Sequence, residues 1–123
     1  MPAKRTQSHD CPIRDVLDRV GDAWSVLVIK ELSQAPCRFN ALQRVIDPIS
    51  PRMLAATLKH LERDGLVTRH VMDQSPPQVE YRLTQMGCSL HNALESLSDW
   101  ANENQPHVRA ARKTYDLMRD GAG

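Results

Sequence analysis

Apolar residues recur at intervals of three and four positions along much of the chain, and this spacing predicts helices. The first helix is predicted over 12–20, with Pro12 at its first position and Gly21 as its stop. The second begins after Asp22, a good N-cap, and ends at Ala35-Pro36. A short third helix is predicted over 38–46. On the first helix Ile13, Val16, Leu17 and Val20 repeat at helical spacing. The side chains predicted to be buried are Trp24, Leu27, Val28 and Leu32 on the second helix and Phe39, Leu42 and Val45 on the third.

A fourth helix has the clearest boundaries. The DPIS stretch, 47–50, is predicted as a turn that ends in Ser50, a favourable N-cap. Pro51 suits the first helical position, and Gly65 is the residue type that commonly ends a helix. The helix therefore runs from Pro51 to Asp64. Its apolar stripe consists of Leu54, Leu58 and Leu61.

The pattern changes to alternation after Gly65. The stretches 66–72 and 79–83 are rich in β-branched and aromatic residues, so two strands are predicted. The intervening DQSPPQ stretch is predicted as a hairpin loop. Thr84 is then predicted to cap a long helix that carries an apolar stripe. Pro106 is predicted to interrupt this helix, and a final helix is predicted to end near 119. The stripe consists of Leu90, Leu94, Leu97 and Trp100.

This order of elements is that of a winged helix-turn-helix. The predicted fold class is mainly α with a small β-hairpin, in a single domain, 1–123. Its core covers 12–83, with the helix-turn-helix at about 38–64 and the wing at about 66–83. The C-terminal helices, 84–119, carry more apolar surface than a lone terminal helix needs, which favours dimerisation.

Composition narrows the class of protein. Hydrophobic residues make up 41% of the chain and charged residues 25%, which are ordinary globular values. No apolar run is long enough to span a membrane, and the N-terminus lacks the apolar core of a secretory signal. We therefore expect a cytoplasmic protein without a membrane partner. Its three cysteines are more consistent with reduced thiols than with structural disulfides.

Positive charge is concentrated in the middle of the chain. The net charge is +1, but the stretch 38–70 has three more cations than anions. A locally basic surface indicates an anionic partner, although a chance excess of solvated cations remains an alternative.

The outward side of the fourth helix has a composition that suits DNA. Arg52, Ala56, Lys59 and Arg63 lie within about 40° of the direction opposite the leucine stripe. No acid shares this face, whereas solvated helix faces usually mix both signs. Cations neutralise phosphates, and a small residue lets a helix sit deep in the major groove. The alternative is a cationic surface helix with no partner.

The predicted wing offers further polar groups. Arg69, His70, Gln74, Ser75 and Gln78 could contact the DNA backbone or minor groove, or form a plain polar turn. The complete set of candidate DNA contacts is Arg38, Ser50, Arg52, Met53, Ala56, Thr57, Lys59, His60, Arg63, Arg69 and Gln78.

Several short motifs also carry a family resemblance. They lie in CPIRDVLDRVGDAWSVLVIKEL, in RFNALQRVIDPISPRMLAATLKHLERDGLVTRHV and in PPQVEYRLTQMGCSL. Together these stretches resemble the HxlR-type transcriptional regulators, relatives of the MarR-type winged helices. The resemblance covers about 11–100. One departure is Ala23, because such proteins often carry a basic residue just before the tryptophan.

The resemblance implies a dimeric, DNA-binding regulator of transcription. In this family the first and last helices form the dimer, here 12–20 and the helices after Thr84. Two recognition helices would then meet successive major grooves of a near-palindromic operator. From size and resemblance we expect a repressor, with a small-molecule or oxidant effector as a further partner.

Cys11 occupies the position that several such regulators use as a redox or electrophile sensor. A helix N-terminus stabilises a thiolate, and Arg14 lies one turn away, whereas Asp10 and Asp15 oppose this effect. Oxidation at a dimer seam could shift the spacing of the recognition helices. The alternative is a buried cysteine that acts as a small hydrophobe.

No catalytic or cofactor motif is found. The sequence has no P-loop, dinucleotide-binding turn, HExxH or nucleophile elbow, so an enzyme is not expected. Cys88 lies one turn from His91, and His9 lies near Cys11, but no further pair completes a zinc set, so no metal is predicted. Two alternatives remain: a winged helix that binds proteins without DNA and, less favoured, a thiol enzyme using Cys11.

Overall fold

The computed structural model describes residues 11–20 and 23–122. The chain divides into two compact units, Met1–His91 and Asn92–Gly123. Gly21 and Asp22, predicted to end one helix and cap the next, lie outside the described residues, as do His9 and Asp10. The prediction of one domain stays a prediction.

The described residues of the first unit form four helices and a small sheet, followed by the start of a fifth helix. The helices are α1 (Pro12–Val20), α2 (Ala23–Leu32), α3 (Phe39–Val45), α4 (Pro51–Arg63) and α5 (Gln85–Ala122), and the strands are β1 (Cys37–Arg38), β2 (Val67–Met72) and β3 (Gln78–Leu83). The predicted order of helices and hairpin strands is therefore confirmed. The structure adds β1, a strand of two residues that we did not predict.

The sheet is antiparallel with strand order β1-β3-β2. Its hairpin pairs Val67 with Leu83 at the base and Met72 with Gln78 near the loop. On the other edge of β3, Arg38 lies opposite Glu80. Arg38 was predicted as the first residue of α3 but lies in β1 and immediately precedes the helix, in an extended conformation. The residue thus belongs to the sheet and borders α3.

The core of the first unit is aliphatic. Its buried hydrophobic residues come from α2, α3, α4, the turn before α4 and the start of β2: Val28, Ile29, Leu32, Leu42, Ile46, Ile49, Leu54, Leu58, Leu61, Leu66 and Val67. Packing of α4 against α2 and β2 leaves the other side of α4 in solvent. The core therefore fixes which face of α4 is available to a partner.

Some predicted core positions are wrong. Leu27 and Val45 are 39% and 59% exposed, whereas Ile29 and Ser25 are buried. The sequence of α2 is apolar on nearly all sides, so helical spacing alone did not select the buried side. The α1 residues Ile13, Val16 and Leu17, which repeat at helical spacing, are exposed in the single chain; they are 65%, 43% and 54% exposed.

The prediction that Pro106 interrupts the last helix is also wrong. Helix α5 includes Pro106 and continues to Ala122, beyond the predicted end near 119. Proline lacks one backbone N–H and crowds the preceding turn, but a helix with other stabilising bonds can continue through it. The amide Nδ2 of Asn104, two residues earlier, donates to the carbonyl oxygen of Trp100 at 2.9 Å.

The second unit is the helical stretch 92–122. Its exposed large hydrophobic residues are Leu97, Trp100, Tyr115, Leu117 and Met118. Arg119 donates from Nη1 to the Tyr115 hydroxyl at 2.9 Å. Within the described part of the chain, no helix combines the length and apolar character needed to cross a membrane.

Candidate nucleic-acid interface

Helix α4 has well-defined ends. The Ser50 hydroxyl accepts a hydrogen bond from the Met53 amide at 3.0 Å, and Pro51 follows at the start of the helix, as predicted. At the other end Gly65 has a φ of +78°, a conformation that suits glycine. The Leu66 amide donates to the Leu61 carbonyl, and the Gly65 amide donates to that of Glu62. This is the Schellman pattern, which ends the helix sharply.

The outward face of α4 is positively charged. Arg52, Lys59 and Arg63 are exposed, and His60 is exposed beside them. None of the three long cationic side chains has an ion-pair partner among residues 11–20 and 23–122. Ala56, half-buried, lies between them. Arg52 and Arg63 are eleven positions apart, roughly 16 Å along the helix axis.

Two other candidate DNA contacts on α4, Met53 and Thr57, lie outside the cationic face. Met53 is 44% exposed and lies beside the cationic face. Thr57 is only 4% exposed, so its side chain offers little surface for the predicted DNA contact. Its Cα lies about 60° from that of Leu54 around the helix, which places Thr57 on the core side.

Arg38, in β1, and Arg44, in the last turn of α3, form a second cationic pair. Both side chains are exposed, and both line one cleft beneath the hairpin loop. Arg38 was a sequence candidate, but Arg44 was missed and counted only toward the basic middle of the chain. The sequence shows that Arg44 lies in the last turn of a short helix. It does not show that the hairpin loop lies beside this turn, so Arg44 could not be assigned to a site from the sequence.

The β2–β3 hairpin carries the remaining candidates. Arg69 is exposed, and Gln78 is half-buried where β3 begins. Arg82 donates from Nε to Glu80 at 2.9 Å, so its charge is neutralised within β3. The polar residues Gln74 and Ser75 are exposed in the loop. Among the described residues of the wing, Arg69 is therefore the arginine without an ion-pair partner.

The three cysteines have different environments. Cys11 is half-buried just before α1, and Cys88 is exposed. Desolvation, and then the nearby charges of Glu31 and Glu80, raises the pKa of the half-buried Cys37 thiol. The Cys37 thiol donates to the Ala35 carbonyl at 3.6 Å. Cys37 is therefore a poor nucleophile at neutral pH.

No metal-binding group emerges from the described residues. Within 11–20 and 23–122, no three His, Cys, Asp or Glu side chains are arranged to hold a metal ion. The candidate site is therefore defined by the exposed cations of α4, α3 and the hairpin.

Comparison with known proteins adds family evidence. Residues 19–109 match the model of the HxlR-like helix-turn-helix family. The HTH-type transcriptional regulator YtfH of Escherichia coli (strain K12) is 39% identical over 105 residues, which cover 85% of this chain and 83% of that protein.

Solved structures of transcriptional regulators have the same fold as this chain. The transcriptional regulator ytfH from Salmonella typhimurium superposes with a TM-score of 0.72 at 37% identity, covering 87% of this chain and 96% of that one. The redox regulator HypR in its reduced form gives a TM-score of 0.74 at 33% identity, covering 80% and 98%.

The fold and these relatives define a transcriptional regulator of the winged-helix type. More narrowly, the chain belongs to the family of HxlR-like helix-turn-helix proteins.

Proposed function

We propose that this regulator binds double-stranded DNA in a sequence-specific manner and acts as a homodimeric repressor. The observation that carries the proposal is the outward face of α4, where Arg52, Lys59 and Arg63 lack ion-pair partners in the described chain. Unpaired cations on one rigid helix face suit a phosphate-lined groove.

The dimensions of the helix support the same assignment. A major groove is about 12 Å wide and admits one α-helix. In helix-turn-helix proteins, residues near the N-terminus of the recognition helix contact base edges. Arg52 lies in the first turn of α4, so we assign it to base recognition. Arg63 lies in the last turn and is assigned to a phosphate.

Dimerisation is supported by a heptad pattern in the second unit. Positions from Leu94 to Met118 follow alternating steps of three and four residues, as in the seam of a coiled coil. Pro106 falls on the side opposite this seam, where its missing N–H does not disturb a partner helix. The seam residues are Leu94, Leu97, Ala101, Asn104, Val108, Ala111, Tyr115 and Met118.

Helix α1 offers a separate apolar surface. Ile13, Val16 and Leu17 lie on it at helical spacing and are exposed in the single chain. Exposed apolar clusters commonly mark association surfaces. A dimer would present two copies of α4 to a near-palindromic operator, with half-sites about 34–36 Å apart. Repression requires only that this complex occupy the site.

The direct test is fluorescence anisotropy with the DNA upstream of the gene, compared with a random duplex at two salt concentrations. We expect selective binding that weakens steeply with salt, because bound cations release counterions. A winged helix that serves only protein partners would bind neither duplex selectively, and that result would refute the proposal.

Matched variants of α4 sharpen this test. Arg52→Ala should weaken operator binding by about 1–3 kcal/mol and relax base preference. Arg63→Ala should weaken binding to both duplexes alike and lower the salt slope by about 1. Glu62→Ala, on the side of the same helix, is the control and should not weaken binding. Small and equal effects of Arg52→Ala and Arg63→Ala on both duplexes would refute the recognition-helix assignment.

We further propose that Cys11 makes DNA binding sensitive to oxidants. The support is its half-buried position at the start of α1, together with the similarity to the redox regulator HypR. Oxidation by a peroxide would convert the thiolate to a sulfenic acid, and a disulfide with a low-molecular-weight thiol could follow. Either product adds bulk beside the apolar surface of α1.

The Cys11 proposal is tested with Cys11→Ser. This variant should bind DNA as the unmodified protein does but should no longer respond to peroxide. Cys88→Ser, at an exposed position, is the control and should retain the response. An unchanged peroxide response in Cys11→Ser would exclude Cys11 as the sensor.

A further inference from the structure

A cleft separates α3 from the loop and first residues of the β2–β3 hairpin. Its volume is about 550 Å³, which lies within the range of about 300–1,000 Å³ typical of small-molecule pockets. All of its lining lies in the first unit. The lining residues are Arg38, Phe39, Asn40, Ala41, Arg44, Pro76, Pro77, Gln78 and Val79.

The charges of the cleft have one sign. Arg38 and Arg44 are its charged residues, and no carboxylate lines it. Within the described part of the chain, neither guanidinium has a hydrogen-bond or ion-pair partner. Glu80, which lies opposite Arg38 in the β1–β3 pairing, accepts a hydrogen bond from Arg82 at 2.9 Å instead. The chemistry of the cleft therefore favours an anion.

The uncharged residues that line the cleft indicate whether an inorganic or an organic anion fits it better. Phe39, Pro76, Pro77 and Val79 contribute apolar surface, whereas Asn40 and Gln78 bring side-chain amides. A bare phosphate would use the arginines but leave the apolar walls without a partner. An organic anion would use both, because its carboxylate can accept hydrogen bonds from guanidinium groups while its body covers the apolar walls.

We propose that this cleft binds a small organic anion that carries a carboxylate on a compact apolar body. The site is separate from the outward face of α4. It shares Arg38 and Gln78 with the candidate DNA surface. If the proposed DNA-binding function holds, occupation of the cleft therefore lowers the affinity for DNA, and the anion acts as an inducer.

The binding test uses the full chain without DNA, so its outcome is independent of the proposed function. Isothermal titration calorimetry with 2-naphthoate should give saturable binding of one molecule per chain. Arg44→Gln should weaken this binding at least ten-fold, while Lys30→Gln, an exposed cation on α2, should leave it unchanged. Thermal unfolding of both variants checks that they remain folded.

Two further probes test the chemistry of the ligand. The neutral 2-naphthalenemethanol should bind at least ten-fold more weakly than 2-naphthoate. Equal binding of the alcohol would refute an anion site, and equal binding of inorganic phosphate would refute the apolar requirement. Absence of naphthoate binding, or binding unaffected by Arg44→Gln, would also overturn the proposal.

A competition experiment tests the link to DNA. In anisotropy measurements, 2-naphthoate should displace operator DNA from the unmodified protein and from Lys30→Gln, but much less effectively from Arg44→Gln. Naphthoate that binds without displacing DNA would refute the inducer role. Failure of the protein to bind DNA at all would refute the proposed function, while the calorimetry would still decide the anion site.

Discussion

At the scale of single residues, two glycines of α5 differ sharply in their surroundings. A Cβ at Gly87 would collide with the carbonyl oxygen of Leu66 and lie 2.7 Å from a methyl carbon of Leu83. A Cβ at Gly121 would meet nothing within 4 Å. We expect Gly87→Ala to lower the free energy of unfolding by about 2 kcal/mol, because overpacking forces the backbone and side chains apart. Urea unfolding followed by circular dichroism measures this change.

Gly121→Ala is the matched control, since it makes the same substitution in the same helix. Alanine favours helical backbone over glycine by roughly 0.5–1 kcal/mol in a helix interior. Near the end of α5 the gain should be smaller, but the free energy of unfolding should not fall. If both variants were equally stable, the close approach of Gly87 to the Leu66 carbonyl would be contradicted.

The side that a residue faces was predictable where one helix face is apolar and the other polar. On α4 the three leucines fixed the buried side, and Arg52, Lys59 and Arg63 fell on the other. Thr57 was included among the candidate DNA contacts, although its position on α4 puts it beside Leu54 and its side chain is buried. The packing neighbours, rather than residue type, determine its burial.

At the scale of elements, Thr84 joins the end of the hairpin to α5. Its hydroxyl donates to the Gly65 carbonyl at 2.7 Å and accepts from the Gly87 amide at 3.0 Å. One side chain thus caps α5 and holds the turn that follows α4. We expect Thr84→Ala to lower the free energy of unfolding by about 1–2 kcal/mol, since a cap and a second hydrogen bond are lost.

Thr84→Ser is the control for this junction because serine keeps the hydroxyl. It should retain most of the stability in the same urea titration. An equal loss in both variants would assign the effect to the threonine methyl group instead of the two hydrogen bonds.

Elements with strong end signals were predicted well. Ser50 and Gly65 fixed α4, and alternation identified β2 and β3. The strand β1 was missed because two residues are too few to show a period, and it pairs with β3 far along the chain. The cleft between α3 and the hairpin loop was not foreseen for a related reason: its residues are far apart in the sequence and come together where α3 and β1 lie beside β3.

At the scale of the whole molecule, exposure alone does not identify the proposed dimer surface. Leu117 and Met118 are neighbours, with 63% and 70% of their surfaces exposed. The heptad pattern separates them, because Met118 belongs to the seam and Leu117 lies outside it. These two residues therefore offer a matched pair for testing the oligomeric state.

We expect Met118→Glu to weaken self-association on the order of 100-fold, since an unpaired carboxylate would be buried in the seam of each copy. Leu117→Glu adds the same charge one position earlier and should leave association unchanged. Sedimentation equilibrium of the unmodified protein and both variants measures the dissociation constant. Because two linked recognition helices hold an operator more tightly than one, Met118→Glu should also lose affinity for the full site, but not for a half-site. Equal association of all three proteins would exclude this seam as the dimer interface, and a monomeric unmodified protein would exclude the homodimer itself.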